Sequence, residues 1–205
     1  IQALRAISLS GAVQVPLEKI SWAEGTLNNV RESLHIASGR GKDRLLFQEQ
    51  DKVAELLNYP DADAMMSDVA RAARSVDYLL NYTWHSLEHK SRDGFGRLSK
   101  KVRVTSVAKN VNASNREILI DPLVSLDEDP VVGLRAAATA AQLGLPLSLD
   151  SFTSLAEKLK KGEGALTNPW PREARELLIA LIGAGESMVD IFETLDQEEI
   201  IFHWI

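Results

Sequence analysis

The stretch Asp61–Lys90, DADAMMSDVARAARSVDYLLNYTWHSLEHK, decides the fold class. Met65, Val69, Ala72, Val76, Leu79, Leu80, Thr83 and Leu87 fall on one face of a helix, mostly at three- and four-residue steps. Asp61 and Asp63 sit in its first turn, where a carboxylate meets the positive end of the helix dipole. A helix of this length, polar on one side and apolar on the other, must be covered by other helices. The chain is therefore expected to be mainly α.

The surroundings agree. Upstream, Asn58-Tyr59-Pro60 closes a helix expected over 45–57 that buries Leu46, Val53, Leu56 and Leu57; proline has no backbone donor and disfavours α geometry before it. Gly39-Arg40-Gly41-Lys42 ends another, which Ser21 would cap and which carries Trp22, Leu27, Val30, Leu34 and Ala37 inward. Downstream, Ser91–Gly96 reads as a loop. Then Lys101–Val107 alternates and is β-branched, Asn110–Asn115 is turn-rich, and Arg116–Ile120 is apolar again. That pattern predicts a hairpin pairing 101–109 with 116–120, packed on helices because an isolated hairpin is marginal in water.

Helices resume at about Val131–Leu143, alanine-rich and closed by Gly144. Others are expected from Ser148 or Asp150 to Lys161, over 171–181 and over 187–195, with a last turn or two at 197–204. The architecture expected is a helical bundle in two blocks, 1–95 and 125–205, with a small β-hairpin insertion at 96–124.

Composition narrows the function. The chain has 205 residues, 23 Lys+Arg against 29 Asp+Glu, and a net charge of −6. An acidic chain lacks the basic surface that coats nucleic acid. It has no cysteine, which removes disulfides, thiol chemistry and cysteine-ligated zinc. No apolar run is long enough to span a membrane, and no signal peptide is visible. A cytoplasmic protein is expected. The chain opens without Met inside an apolar-periodic segment, which suggests a piece of a longer protein.

Motifs with chemical potential all have bland readings. Ser38-Gly39-Arg40-Gly41-Lys42 has no preceding strand and is followed by Asp43, so it reads as an interhelix turn, not a phosphate loop. Asp61/Asp63 and Asp127/Asp129 could flank a metal, but on helices their spacing diverges, and capping explains them. His85 and His89 have a zinc-ligand spacing with no third ligand in view. One cluster is harder to dismiss: Arg40, Asp43, Arg44, Gln48, Glu49 and Gln50 crowd beside Leu45, Leu46 and Phe47. Such groups either pair with one another, as an Arg–Asp brace of the turn, or face a partner or ligand.

The run Leu34–Asp51, LHIASGRGKDRLLFQEQD, resembles the helical region of the bifunctional PII uridylyltransferase/uridylyl-removing family, most of all its actinobacterial form. The resemblance continues through Val53–Met66 and Val69–Arg74. It returns at Gly133–Pro146, Pro169–Pro171 and Leu195–Gln197, and Ile1–Arg5 resembles the segment after the family's Gly-Gly-Leu-Arg-Asp. It covers nearly the whole chain and is weakest over 94–124. The resemblance implies an enzyme in which a nucleotidyltransferase domain, using magnesium and UTP or ATP, modifies a PII tyrosine. An HD domain then removes the group, and further domains sense glutamine. The transferase motif, Gly-Ser followed by Asp-x-Asp, is missing from this sequence, as is the His-Asp of the hydrolase. No catalytic residue carries over, and no cofactor is expected in this segment.

The expected role is that of a scaffold packed between the transferase and HD domains, closing one side of the nucleotide cleft. Arg40, Asp43, Arg44, Gln48 and Gln50 are the candidates for the surface nearest it. Two other readings compete: an autonomous helical interaction module binding a partner through an apolar groove, and a metal-dependent hydrolase using His85 and His89. A stable complex formed without nucleotide would mark the first, and a bound metal ion the second.

Overall fold

The computed structural model describes residues 1–13, 15–41, 43–93 and 104–204, with side chains placed except at 88–93. The chain is mainly helical, with one small antiparallel sheet. It divides into two units, Ile1–Phe95 and Gly96–Ile205.

The first unit holds α1 (Gln2–Leu9), a 3₁₀ turn (Leu17–Ile20), α2 (Ser21–Ser38), α3 (Phe47–Leu56) and α4 (Ala62–Asp93). At 32 residues, α4 is ~48 Å long. Met65, Ala72 and Leu79, seven residues apart, are at most 1% exposed, and Thr83 is fully buried with its hydroxyl donating to Leu79 O at 2.6 Å. α2 and α4 lie side by side. Two apolar clusters form against them, one around Leu4, Ile20 and Ala23, the other around Val30, Leu34 and Val53.

Several details differ from the expectations. α4 runs through Asp93, so Ser91–Asp93 is helix, not loop; the rest of the expected loop, 94–96, lies outside the described residues. Ser21 does not cap α2. The 3₁₀ turn feeds straight into the helix, and the Ser21 hydroxyl donates back to Glu18 O at 3.0 Å. Trp22 is 43% exposed, with the Arg71 guanidinium 4.3 Å above its ring, while the smaller Ala23 goes inward. Leu46 and Leu56 are likewise exposed, whereas Val53 is buried as expected, Leu57 is partly buried and Ala54 goes inward. Gly39 does close α2 in the left-handed conformation, at φ 62°.

The second unit holds β1 (Thr105–Ala108), β2 (Val111–Ser114), β3 (Glu117–Ile120), α5 (Val132–Leu143), α6 (Leu149–Lys160), α7 (Arg172–Ile182) and α8 (Ser187–Gln197), with a closing 3₁₀ turn (Ile201–His203). The expected hairpin is a three-stranded meander in the order β1-β2-β3. The segment read as one turn is itself the central strand: Val111 pairs with Ile120 and Thr105 with Ala113. Two tight turns flank it, with Asn110 at φ 57° and Asn115 and Arg116 at 49° and 59°. Asparagine tolerates that region better than most side chains, so each asparagine marks its own turn. Residues 101–103 of the expected first strand lie outside the described residues.

α5 is the centre of this unit. Nine of its residues, including Ala136, Ala137, Ala138 and Ala140, are buried, and the helix packs against α7, α8 and all three strands. Short side chains let those neighbours approach from every side. Gly133 allows the closest contact, since a Cβ there would stand 2.8 Å from both Leu155 Cδ2 and Trp204 Cζ2. β3 contributes Ile118 and Ile120 to the same core and is tied to the start of α6, with Ile118 N donating to Pro146 O (2.9 Å) and Ser148 N to Ile118 O (2.8 Å).

Candidate functional site

The turn between α2 and α3 was the polar cluster the sequence singled out. Leu46 N donates to the Glu49 carboxylate at 3.1 Å while Glu49 N donates to Leu46 O at 2.9 Å, which fixes the start of α3. Asp43 turns back to α2. Its Oδ1 accepts from Arg31 Nε at 3.0 Å and lies 2.9 Å from His35 Nε2. The His35 hydrogen bond, then Arg31, hold the Asp43 carboxyl below its ordinary value.

The brace of this turn thus uses Arg31 and His35, not Arg40 or Arg44. Both of those arginines are exposed, as is Gln48, while Gln50 is partly buried. Arg40, Asp43 and Arg44 lie in the turn and Gln48 and Gln50 on the first turn of α3, and among the described residues no hydrogen bond or ion pair joins any two of the five. Sequence reasoning missed His35 because its partner lies eight residues away across the helix end.

The second polar centre was not anticipated. Asp129 and Arg135 are 4% and 6% exposed. Arg135 Nη1 donates to Asp129 Oδ2 at 2.7 Å and to Lys109 O at 3.2 Å, its Nη2 donates to Asp129 Oδ1 at 3.0 Å, and its Nε and Nη2 both reach the Glu173 carboxylate. Asn110 Nδ2 adds a hydrogen bond to Asp129 Oδ2 at 2.8 Å. Burial works to raise the Asp129 carboxyl, but the Arg135 and Asn110 hydrogen bonds outweigh it and leave it below its ordinary value. Arg135 is likewise disfavoured by desolvation and held charged by its two carboxylates.

This network joins the sheet, the α5 approach and α7, and it satisfies every guanidinium nitrogen, so its chemistry is structural. The capping expected of Asp127 and Asp129 does not occur: the Asp129 carboxylate is taken up by Arg135 and Asn110. Its neighbour Asp127 accepts from Gly164 N at 3.1 Å, and Asp61 accepts from Ala64 N at 2.7 Å, as a helix-start carboxylate should.

His85 is partly buried on α4, and the His89 side chain lies outside the described residues. Among the described residues no three His, Cys, Asp or Glu side chains gather to hold a metal ion. A surface cleft of about 690 Å³ is lined by Ala141, Leu143, Gly144, Ala180, Gly183 and Ser187, with no charged group among its lining residues. No helix among the described residues is long and apolar enough to cross a membrane.

By architecture, then, this is a helical protein with a buried ion network at Asp129 and Arg135 and an exposed polar turn between α2 and α3. The model of the GlnD PII-uridylyltransferase family matches residues 13–84, which takes in that turn. A bifunctional uridylyltransferase/uridylyl-removing enzyme of Streptomyces coelicolor is 38% identical over 97% of this chain. That of Mycobacterium tuberculosis is 28% identical over 96%, and that of Stutzerimonas stutzeri 44% identical over 23%. The chain belongs to the bifunctional uridylyltransferase/uridylyl-removing family, of which it matches one segment: it spans about a quarter of the length of its Streptomyces and Mycobacterium relatives. No solved structure matches it.

Proposed function

We propose that this chain is a non-catalytic helical scaffold within an enzyme that transfers a nucleotidyl group, UMP or AMP, to the PII regulatory protein and removes it again. One observation carries the reading: similarity runs through 97% of the chain yet reaches only 25% of the Streptomyces enzyme. On this reading the reactive residues of the whole enzyme lie in the other three quarters, since neither Gly-Ser followed by Asp-x-Asp nor His-Asp occurs in this sequence. The magnesium and the UTP or ATP belong to its transferase site, and the uridylyl-removing hydrolase to another domain. In the cytoplasm the segment would sit between those two domains, with the Arg40–Gln50 turn facing the transferase cleft. A scaffold so placed contributes to rate by positioning substrate and excluding water.

The test mixes purified chain with PII, magnesium and labelled UTP or ATP. The chain alone leaves PII unlabelled, whereas the full-length enzyme labels it; labelling by the chain alone overturns the reading. In the full-length enzyme, Arg40→Glu with Arg44→Glu raises the KM for nucleotide by about tenfold, equivalent to ~1.4 kcal/mol. The unfolding midpoint stays where it was. An unchanged KM removes the turn from the cleft while leaving the scaffold role intact.

A further inference from the structure

Three large apolar side chains are exposed close together in sequence at the α2–α3 turn. Phe47, the first residue of α3, is 87% exposed, Ile36 on the last turn of α2 is 72% exposed, and Leu46 is 40% exposed. Arg40 and Arg44 are exposed in the same short stretch. The carboxylate between them is turned onto Arg31 and His35, and Glu49 is engaged by the Leu46 amide. Among the described residues, no carboxylate answers Arg40 or Arg44. The result is an aromatic, cationic tip on a chain of net charge −6.

Two physical features distinguish this tip from scattered surface apolar residues. Phe47 projects from a helix start whose backbone is fixed by the reciprocal Leu46–Glu49 bonds, so burying it in a partner orders little that is not already ordered. Aromatic and arginine side chains are also the ones that carry interface energy once water is excluded from them.

We infer that this tip docks into an acidic-rimmed apolar socket on another domain of the same enzyme. Phe47 is the anchor, and Arg40 and Arg44 pair with carboxylates on the rim. The inference rests on the scaffold reading above and names the chemistry of its partner surface. Charge complementarity selects the occupant. Two uncompensated guanidiniums call for carboxylates, two copies of this chain meeting tip to tip would set like charges against each other, and a lone nucleotide would leave Ile36 and Leu46 in water.

Hydroxyl-radical footprinting of the full-length enzyme, with the isolated chain alongside, tests this. Phe47 and Ile36 are oxidised rapidly in the isolated chain and lose most of that reactivity in the full-length enzyme. Arg40→Glu with Arg44→Glu restores it there, and so does high salt in the unaltered enzyme. Equal reactivity in both proteins overturns the inference. So does protection in the isolated chain that grows with its concentration and disappears in Phe47→Ala, because the occupant would then be a second copy. Protection that appears only when UTP or ATP is added also overturns it, in favour of a nucleotide. A labelling assay with PII on the same full-length preparation separates the two levels. Transfer without Phe47 protection sinks the docking inference alone, and absence of transfer sinks the functional reading beneath it.

Discussion

The Asp129–Arg135 centre of the second unit and the Asp43 turn of the first handle charge in opposite ways. In the second, Asp129 and Arg135 are withdrawn from water and bound on every side, with Lys109 O, Asn110 and Glu173 completing the set. In the first, Asp43 and Arg31 pair with side chains about 60% exposed. A buried network must be complete, because any group left unpaired there bears the full cost of desolvation. An exposed pair has water as an alternative partner and holds little energy. The first kind of site is therefore committed to holding the fold together, and the second leaves neighbouring arginines free for an outside partner.

The largest effect expected from this contrast is at Arg135. Replacing it with Ala strands Asp129 in the core, and urea denaturation should show a loss of about 3–5 kcal/mol. Replacing Arg135, Asp129 and Glu173 together with apolar residues of similar volume should cost far less than Arg135→Ala alone. If the single substitution is as mild as Arg31→Ala in the other unit, the distinction between the two ion clusters fails.

Gly133→Ala comes next. Its Cβ would meet the Leu155 methyl and the Trp204 ring at 2.8 Å, distances that real Cβ atoms do not show. Overpacking of this kind typically costs about 1–3 kcal/mol. The same substitution at Gly25, where no atom lies within 4 Å of the added Cβ, should not destabilise α2.

These two sites also mark what could and could not be read from the sequence. Helix positions were legible because period and punctuation are local: Pro60, Gly39 and Gly144 stop helices wherever they stand. Which residue of an inward stripe is covered was less legible. Trp22 and Leu46 have the right spacing, but the neighbours that would cover them are set by tertiary packing. The central strand was hidden because Asn110 and Asn115, five residues apart, read as one turn when each makes its own. Arg135 stands among alanines with no carboxylate in the same helix; its carboxylate partners are six and 38 residues away. At the candidate site, the crowding of polar groups was visible, but the direction of Asp43 was not, since nothing local distinguishes Arg40 from Arg31 as its partner.

A smaller effect concerns Glu117, at the start of β3. Burial, and then repulsion from Asp150, push its carboxyl up to about 7 from an ordinary 4.5. The folded form therefore holds a proton more tightly than the unfolded one. The associated stability is complete below about 4.5 and is lost as pH rises through about 7. Glu117→Gln should raise the melting temperature at pH 8 by ~2–4 °C and leave it unchanged at pH 4.5. Equal shifts at both pH values would mean that packing, not charge, is at issue.

The smallest effect should come from Asp43→Asn. The sign is that of a carboxylate held below its ordinary 3.8: any stability it lends is present above that value and lost as acid protonates it. Because the pair stands in water, the unfolding midpoint at pH 7 should not move, and the stability profiles of parent and variant should superimpose from pH 3 to 7. Asp129→Asn provides the contrast, since it should flatten the acid limb of that profile. A clear loss of stability in Asp43→Asn would show that the turn, like the Arg135 centre, is committed to the fold. Arg40 and Arg44 would then be the flanks of a structural brace, with no free surface left for a neighbouring domain to take.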